Sequence, residues 1–549
     1  MNNTKTTEIK LRYIPDGGEK TEIAFSPDGA FENDCFEVLA QISGARRTVK
    51  VKTKRPVTLE KCTQRGVYKA DFGDLAFING YQSWTKTKEY FLSEKERDVK
   101  RLPKPLLRTY AFDRYGDATF FDYDRNILHG YDVFYVKSGS GKSGSFIFNA
   151  NYKNAYLVIV IDRSTGEVSL RNELDGLRLN AGEEFVVSDY YIEDYEKGKR
   201  LFEEFFPKKD VKKILGYTSW YNYYQDIDEK IILRDLDALD SRFELFQIDD
   251  GYETFVGDWL DVDKNKFPNG LSDIVKKIHS RGMQAGIWLA PLVAEEKSKV
   301  FNEHRDWFLF DGETVKCGSN WSGFYAINLS VPNARAYVSE CLGYYMGLGF
   351  DFFKLDFLYA SSLAPCGGRT RSMVAEDAYA FLRETLKDKT ILGCGATIFN
   401  AADKFDYLRI GPDVSLKFDD VWFMRFMHNE RISTKTTLQN TVFRSLFNGR
   451  LFGNDPDVFL LRDDNIGLSA RQRRALITLN ALFGSVLMTS DDLGKYDAAK
   501  NRTLDNALEL YRNATVTDFC RQHDIIRIFY TLGGEEKTLE YDTKKGVLL

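Results

Sequence analysis

A chain of 549 residues exceeds the ~50 to 250 residues that one domain usually covers, so two or three domains are expected around a large central unit. Hydrophobic residues at 43% and charged residues at 29% exclude a disordered or fibrous chain. The formal charge of -5, with no long basic block, gives no footprint for a phosphate backbone, so nucleic acid is not an expected partner.

The start, MNNTKTTEIKLRYIPDGGEK, carries no apolar signal core, and no later stretch approaches the ~20 apolar residues of a membrane helix. Seven scattered cysteines (Cys35, Cys62, Cys317, Cys341, Cys366, Cys394, Cys520) form no CxxC pair. A cytoplasmic protein with reduced thiols and no membrane partner is expected.

From about residue 6 to 195 the pattern predicts short strands: IKLRYI, FEVLAQI, RTVKVKT, ATFFDYD, YDVFYV, SGSFIFNA, YLVIVID and EEFVVSDYYI. Residues 1–195 therefore read as an N-terminal β-sandwich domain. The run from Gly139 to Gly144 matches GxGxxG, but a strand-like segment follows it where a phosphate loop needs a helix N-terminus, so it reads as a glycine-rich hairpin.

From about residue 211, apolar runs alternate with amphipathic segments. The runs are ILGYTSW, FELFQID, MQAGIWLA, FDFFKLD, TILGCG, DYLRIGP, RLFGND and SVLMTS, and eight such units predict a (β/α)8 TIM barrel over residues 196–500. Outer helices are expected at 227–239, 271–280, 334–348, 373–386, 436–447 and 469–483. After a short helical stretch near 505–512, the chain ends in two or three strands with a Gly-Gly turn, a small C-terminal β-domain over 501–549.

Active sites of such barrels lie at the C-terminal ends of the strands, and five of the eight ends carry carboxylates: Asp249-Asp250, Asp356, Asp413, Asp455 and Asp491-Asp492. Crowding them in one mouth costs free energy unless chemistry or a cation requires it. The five histidines (His129, His279, His304, His428, His523) are dispersed, which argues against a metal site. Two carboxyl groups are what glycoside hydrolysis requires, and strands four and six supply Asp356 and Asp413.

Lys354, two residues before Asp356, points the same way and is expected to hold that aspartate ionised. Arg409 is placed to fork onto a carboxylate or a sugar hydroxyl. Asp249 and Asp250 would accept hydrogen bonds from vicinal hydroxyls. Trp220, Trp259 and Trp288, near the ends of strands one to three, are each ordinary core candidates but together would form an apolar wall against a pyranose.

GYTSWYNYY, FQIDDGY with GDWL, GIWLAP, FKLDF, LGCG, RIGPDV and NDPD occur in this order between Leu215 and Asp492. Together they resemble glycoside hydrolase family 36, the α-galactosidase group of clan D. The resemblance implies Asp356 as nucleophile and Asp413 as acid/base of a retaining exo-acting α-galactosidase on melibiose- or raffinose-type α-galactosides, with no cofactor. It assigns Asp249 and Asp250 to the galactose O4 and O6 hydroxyls, and Lys354, Arg409, Cys394, Trp220 and Trp288 to the substrate pocket. Trp84 in NGYQSW resembles an aromatic extended over the barrel mouth. Two departures are Gly216-Tyr217 in place of Gly-Trp, and Ala396-Thr397 after LGCG in place of a serine, the latter leaving galactose and N-acetylgalactosamine both open. In a retaining enzyme the two carboxyl groups stand ~5 to 5.5 Å apart. Galactosyl transfer, a catalytically inactive sugar-binding barrel and a phosphate-binding isomerase are the rival readings; the acidic seventh and eighth strand ends disfavour the last. Self-association into a homo-oligomer is an open expectation.

Overall fold

The computed structural model of the chain describes residues 8–71, 73–94, 102–138, 144–426 and 428–549. Strands such as Phe36–Ser43 bury every second side chain near their starts, and an apolar sheet face needs a second sheet to cover it. Residues 8–194 provide this as two antiparallel sheets of six and eight strands. Leu11 and Leu59 of one sheet meet Val38 and Val51 of the other at one end. Leu157 and Leu170 meet Phe134 and Ile147 at the other end. The glycine-rich run at 139–143 lies outside the described residues, and the segment after it is a strand, Gly144–Asn149.

One expected strand is not found. In ATFFDYD the backbone closes turns, with the amides of Phe120 and Phe121 both donating to the Asp117 carbonyl. Its aromatic residues are held by contacts outside any ladder: the Arg371 guanidinium lies 3.4 Å from the Phe120 ring centroid, and Phe121 stacks on His129.

In the barrel, seven of the eight strands are unbroken: Ile214–Thr218, Leu245–Ile248, Gln284–Leu289, Phe352–Leu355, Thr390–Gly393, Tyr407–Arg409 and Val486–Thr489. The seventh in order is split by Pro456, which has no N–H for a ladder. Its first half, Gly453–Asp455, pairs with the sixth strand, and its second, Val458–Phe459, pairs with the eighth. Because the eighth strand also pairs with the first, the sheet closes on itself.

All six expected outer helices are present. Asp228, Thr370 and Ser433 cap three of them through side chains that accept backbone N–H groups, and Ser469 with Gln472 forms a capping box on a fourth. After strand five the chain makes only a short 3-10 turn, Phe399–Ala401. Phe399 packs instead on Phe202 and Phe206, at the end of the linker helix Tyr195–Phe205, and on Tyr152 of the sandwich. The linker thus covers the face that a fifth barrel helix would have covered.

Helix Ala498–Asn513 buries Leu504, Ala507, Leu508 and Tyr511, and the final four-stranded antiparallel sheet begins at Thr515. The expected domain limit at 500/501 falls inside this helix; divided by elements, the C-terminal sheet starts one helix later. All seven cysteines are free. Among the described residues no helix is long and apolar enough to cross a membrane.

Candidate active site

At the C-terminal ends of the barrel strands lies a cavity of about 390 Å³. Eight of the ten expected site residues line it: Trp84, Trp220, Asp249, Asp250, Trp288, Lys354, Asp356 and Asp413. Cys394 and Arg409 stand behind the lining, and both touch residues that form it.

Asp356 follows strand four directly. Its Oδ2 accepts the indole N–H of Trp288 at 3.0 Å and its Oδ1 accepts the Phe357 amide at 2.8 Å. Phe357 has φ 53°, a left-handed conformation uncommon outside glycine and costly for a bulky residue. Such strain persists only where the surroundings enforce it, and here it lets the chain turn sharply behind the carboxylate.

Lys354 occupies the expected face but has a different principal partner. Its Nζ donates to Asp249 Oδ2 at 2.8 Å, and that oxygen also receives Gln247 Nε2 at 2.6 Å and Thr218 Oγ1 at 3.0 Å. Burial disfavours the Lys354 ammonium, but the carboxylates around it, Asp249 first and then Asp356, more than offset this and raise its pKa. Lys354 therefore reaches Asp356 through space, and its hydrogen bond belongs to the floor of the pocket.

Asp250 faces the same cavity as Asp249 because strand two ends at Ile248 and the chain swings at Gly251, with φ 117°. A Cβ on Gly251 would come within 2.6 Å of the Gln225 carbonyl oxygen, so only glycine fits. Gln225 and Trp321 donate to Asp250 at 3.2 and 3.0 Å. Burial nevertheless pushes the Asp250 carboxyl up.

Asp413 follows the Gly411-Pro412 turn and keeps 31% of its side chain exposed. Arg409 Nη1 donates to it at 3.0 Å. Burial raises its pKa and the Asp356 carboxylate adds to this, against the opposing pull of Arg409 and Lys354.

Among the tryptophans, Trp288 and Trp220 line the cavity, but Trp259 does not. Trp259 lies edge-on to Trp288 at 5.7 Å and is 1% exposed, a core residue that backs the wall without forming it. The missing aromatic is Trp321, in the turn between strands Lys316–Gly318 and Phe324–Ala326 of a short three-stranded sheet inserted after strand three, whose distance from any barrel-strand end hid it from the sequence pattern. The N-terminal domain contributes Trp84, Phe112 and Tyr115, and the loop after strand six contributes Met424, His428, Glu430 and Ile432. His428 stacks on Phe112 and Tyr115, with centroids 4.9 and 5.6 Å away. No spacing rule brings these residues together; the domain interface does.

Trp84 is positioned from both sides. Its indole N–H donates to Cys394 Sγ at 3.4 Å, and its ring meets Phe357 edge-on at 5.2 Å. Burial, then Asp356, pushes the Cys394 thiol well up, so it acts as a neutral buried contact. A Cβ on Gly395 would come within 2.8 Å of the Trp84 ring. The loop that carries Trp84 is fixed by Arg444, which is fully buried and donates to the carbonyls of Gly80, Gln82, Ser83 and Ile410. Burial lowers its pKa to about 9, which leaves it charged at neutral pH. Arg444→Met would strand these carbonyls at about 1–3 kcal/mol each. A clear drop in thermal unfolding temperature and a loss of activity through a displaced Trp84 are expected from it.

Both departures from the family pattern face away from the cavity. Tyr217 donates to Asp235 at 2.6 Å and stacks on Phe246, on the outer side of the barrel. Ala396 exchanges hydrogen bonds with Ser83, and the Thr397 amide donates to Tyr379. Of the other acidic strand ends, Asp455 and Asp457 pair with Arg409, whereas Asp491 pairs with Arg462 and accepts Tyr496. Among the described residues no group of three His, Cys, Asp or Glu side chains converges to hold a metal.

Residues 193–380 match the melibiase family. The matched segment is about a third of the chain. The melibiase segment carries Trp220, Asp249, Asp250, Trp288, Lys354 and Asp356, and the resemblance of the motifs to glycoside hydrolase family 36 stands with it. An α-galactosidase of Escherichia coli is 29% identical over 161 residues, 28% of this chain and 22% of that protein. An A type blood α-D-galactosamine galactosaminidase of Flavonifractor plautii is 29% identical over 207 residues, 34% of this chain and 19% of that protein. The chain thus aligns with only about a fifth of the length of these relatives. The α-galactosidase of Thermus thermophilus, solved with p-nitrophenyl α-D-galactopyranoside, superposes with a TM-score of 0.71 at 23% identity, over 92% of this chain and 98% of that one. The match extends the likeness of fold over the sandwich and the barrel together.

Proposed function

We propose that the protein is a retaining, exo-acting α-galactosidase that removes terminal α-galactose from melibiose- or raffinose-type oligosaccharides. The observation that carries this reading is the convergence of Asp356 and Asp413, from strands four and six, on one walled cavity that also holds Asp249, Asp250 and Trp288. A pocket of about 390 Å³ suits one terminal sugar with its leaving group toward the rim.

In the first step Asp356 attacks C1 while protonated Asp413 donates to the glycosidic oxygen, and in the second Asp413 takes a proton from water as it displaces the sugar from Asp356. The raised pKa of Asp413 supports the acid role, because its proton is retained to higher pH than that of an ordinary aspartate. Activity should therefore fall as pH rises through the Asp413 pKa. The Asp249–Lys354 pair and Asp250 present acceptors and a cation for the galactose hydroxyls, with Trp288 against its apolar face.

The Thermus thermophilus protein has also been solved with stachyose, which favours oligosaccharide substrates here. The Flavonifractor plautii relative favours a second reading, an amino sugar at C2. Hydrolysis of p-nitrophenyl α-galactoside beside its α-N-acetylgalactosaminide, α-glucoside and β-galactoside analogues tests both. Release from the α-galactoside alone is expected; preference for the N-acetylated sugar would change the substrate, and release from none would remove the hydrolase reading. Added acceptor sugars would expose transfer as a new disaccharide. A cytoplasmic location remains part of this reading and predicts that all seven thiols titrate once freshly isolated protein is denatured without reductant.

A further inference from the structure

Behind the cavity wall, a single guanidinium serves three carboxylates. Arg409 donates through Nε to Asp455 at 2.8 Å and through Nη1 to Asp413 at 3.0 Å, and its Nη2 stands 2.9 Å from Asp457 Oδ1. Asp455 and Asp457 are fully buried. The Nη2 contact is an ion pair without hydrogen-bond alignment, so Asp457 Oδ1 has no aligned donor. Its other oxygen, Oδ2, accepts the Tyr221 hydroxyl and the Val414 amide, the latter at 2.7 Å. Asp457 has φ 72°, on the break in strand seven just after Pro456. A left-handed non-glycine residue at such a place is the kind of strain that structures keep at functional sites.

The charges do not balance. Arg409 carries one positive charge against the two buried carboxylates of Asp455 and Asp457 before Asp413 is counted. Asp413, part exposed at the cavity, is the third carboxylate to draw on this guanidinium, so it receives only a share of the compensation that an undivided arginine would give. We propose that Asp457 is a positioning residue for the acid/base: by dividing Arg409 with Asp413, Asp457 denies Asp413 part of the positive charge that would ionise it. The inference rests on the reading of Asp413 as acid/base and adds a residue that touches no substrate.

The groups that face Asp457 are Arg409, Asp455, Asp413 and Tyr221. Those that face Asp413 are Arg409, Lys354, Asp356 and Tyr221, with Cys394 and Tyr224 nearby. Burial, which exceeds the pull of Arg409, pushes Asp457 itself up to about 6, so its charge is present at neutral pH and fades as the medium acidifies.

Asp457→Asn tests the proposal, since asparagine tolerates the left-handed backbone and still accepts from Tyr221 and Val414. With one carboxylate gone, Arg409 bears more fully on Asp413, whose pKa must fall. The basic limb of the pH profile of kcat/KM should move down by about one pH unit. At pH 7, turnover of a disaccharide, which needs the acid, should fall about 10-fold more than turnover of the p-nitrophenyl substrate, which does not. Equal losses on both substrates with an unmoved limb would mean a merely structural role and overturn the proposal. Asp413→Ala is measured alongside: if it shows the split between substrates and Asp457→Asn does not, this inference fails alone; if Asp413→Ala shows no split, the acid/base reading fails and takes the inference with it. Should Asp457→Asn not fold, Asp455→Asn relieves Arg409 from the other side and must move the limb the same way, an unmoved limb again overturning the proposal.

Discussion

Asp356→Ala is expected to lower kcat/KM for p-nitrophenyl α-galactoside by about 10⁴-fold or more, with the fold intact. The loss is large because the two carboxylates of strand two are not free to replace the nucleophile: Asp249 is tied by Lys354, Gln247 and Thr218, and Asp250 by Gln225 and Trp321. The fold should survive because the two groups that donate to Asp356, the Trp288 indole and the Phe357 amide, adjoin the cavity, where water can take the place of the carboxylate. Unchanged thermal unfolding would verify this. In Asp356→Gly, azide entering the vacated space should attack from the nucleophile's face and yield β-galactosyl azide. Turnover within 10-fold of wild type would sink the nucleophile assignment.

Asp413→Ala should behave differently, and the contrast separates the two roles. A disaccharide has a poor leaving group and should lose about 10²–10⁴-fold in kcat/KM. p-Nitrophenolate leaves without a proton, so the first step on that substrate should suffer little. The second step still lacks its base, and the glycosyl-enzyme should accumulate, with a burst of nitrophenolate and a low KM. Azide, which needs no base, should restore turnover and give α-galactosyl azide, the retained product. Equal losses on both substrates, or a β-azide, would reverse the assignment of the two aspartates.

The reach of sequence reasoning differs between these parts of the molecule. Carboxylates at the ends of barrel strands are legible because strand periodicity and barrel geometry together dictate where such residues point. Asp249, Lys354 and Asp356 line the cavity for that reason, whereas Asp250 reaches it through the swing at Gly251 and Asp413 through the Gly411-Pro412 turn. The long sandwich strands Val57–Lys69 and Glu167–Leu179 were less legible, since register shifts interrupt the apolar alternation of both. ATFFDYD carried the composition of a strand without its hydrogen bonds, because cation–π and ring contacts from other elements could hold its aromatics in a turn.

By itself the sequence determined the barrel, its helices, the flanking β-domains and the inward set of acidic residues, because these follow from local periodicity and the geometry of strand ends. Only the tertiary structure decided how charges pair and which residues beside Trp84 close the mouth. Lys354 bonds Asp249 rather than Asp356, Arg409 is divided among three carboxylates, Trp321 replaces Trp259 in the wall, and Arg444 clamps the loop of Trp84. Each of these depends on distances between segments far apart in the chain, and the energy of a buried charge or a stranded carbonyl is set by what lies within a few ångströms of it, which no spacing along the sequence encodes.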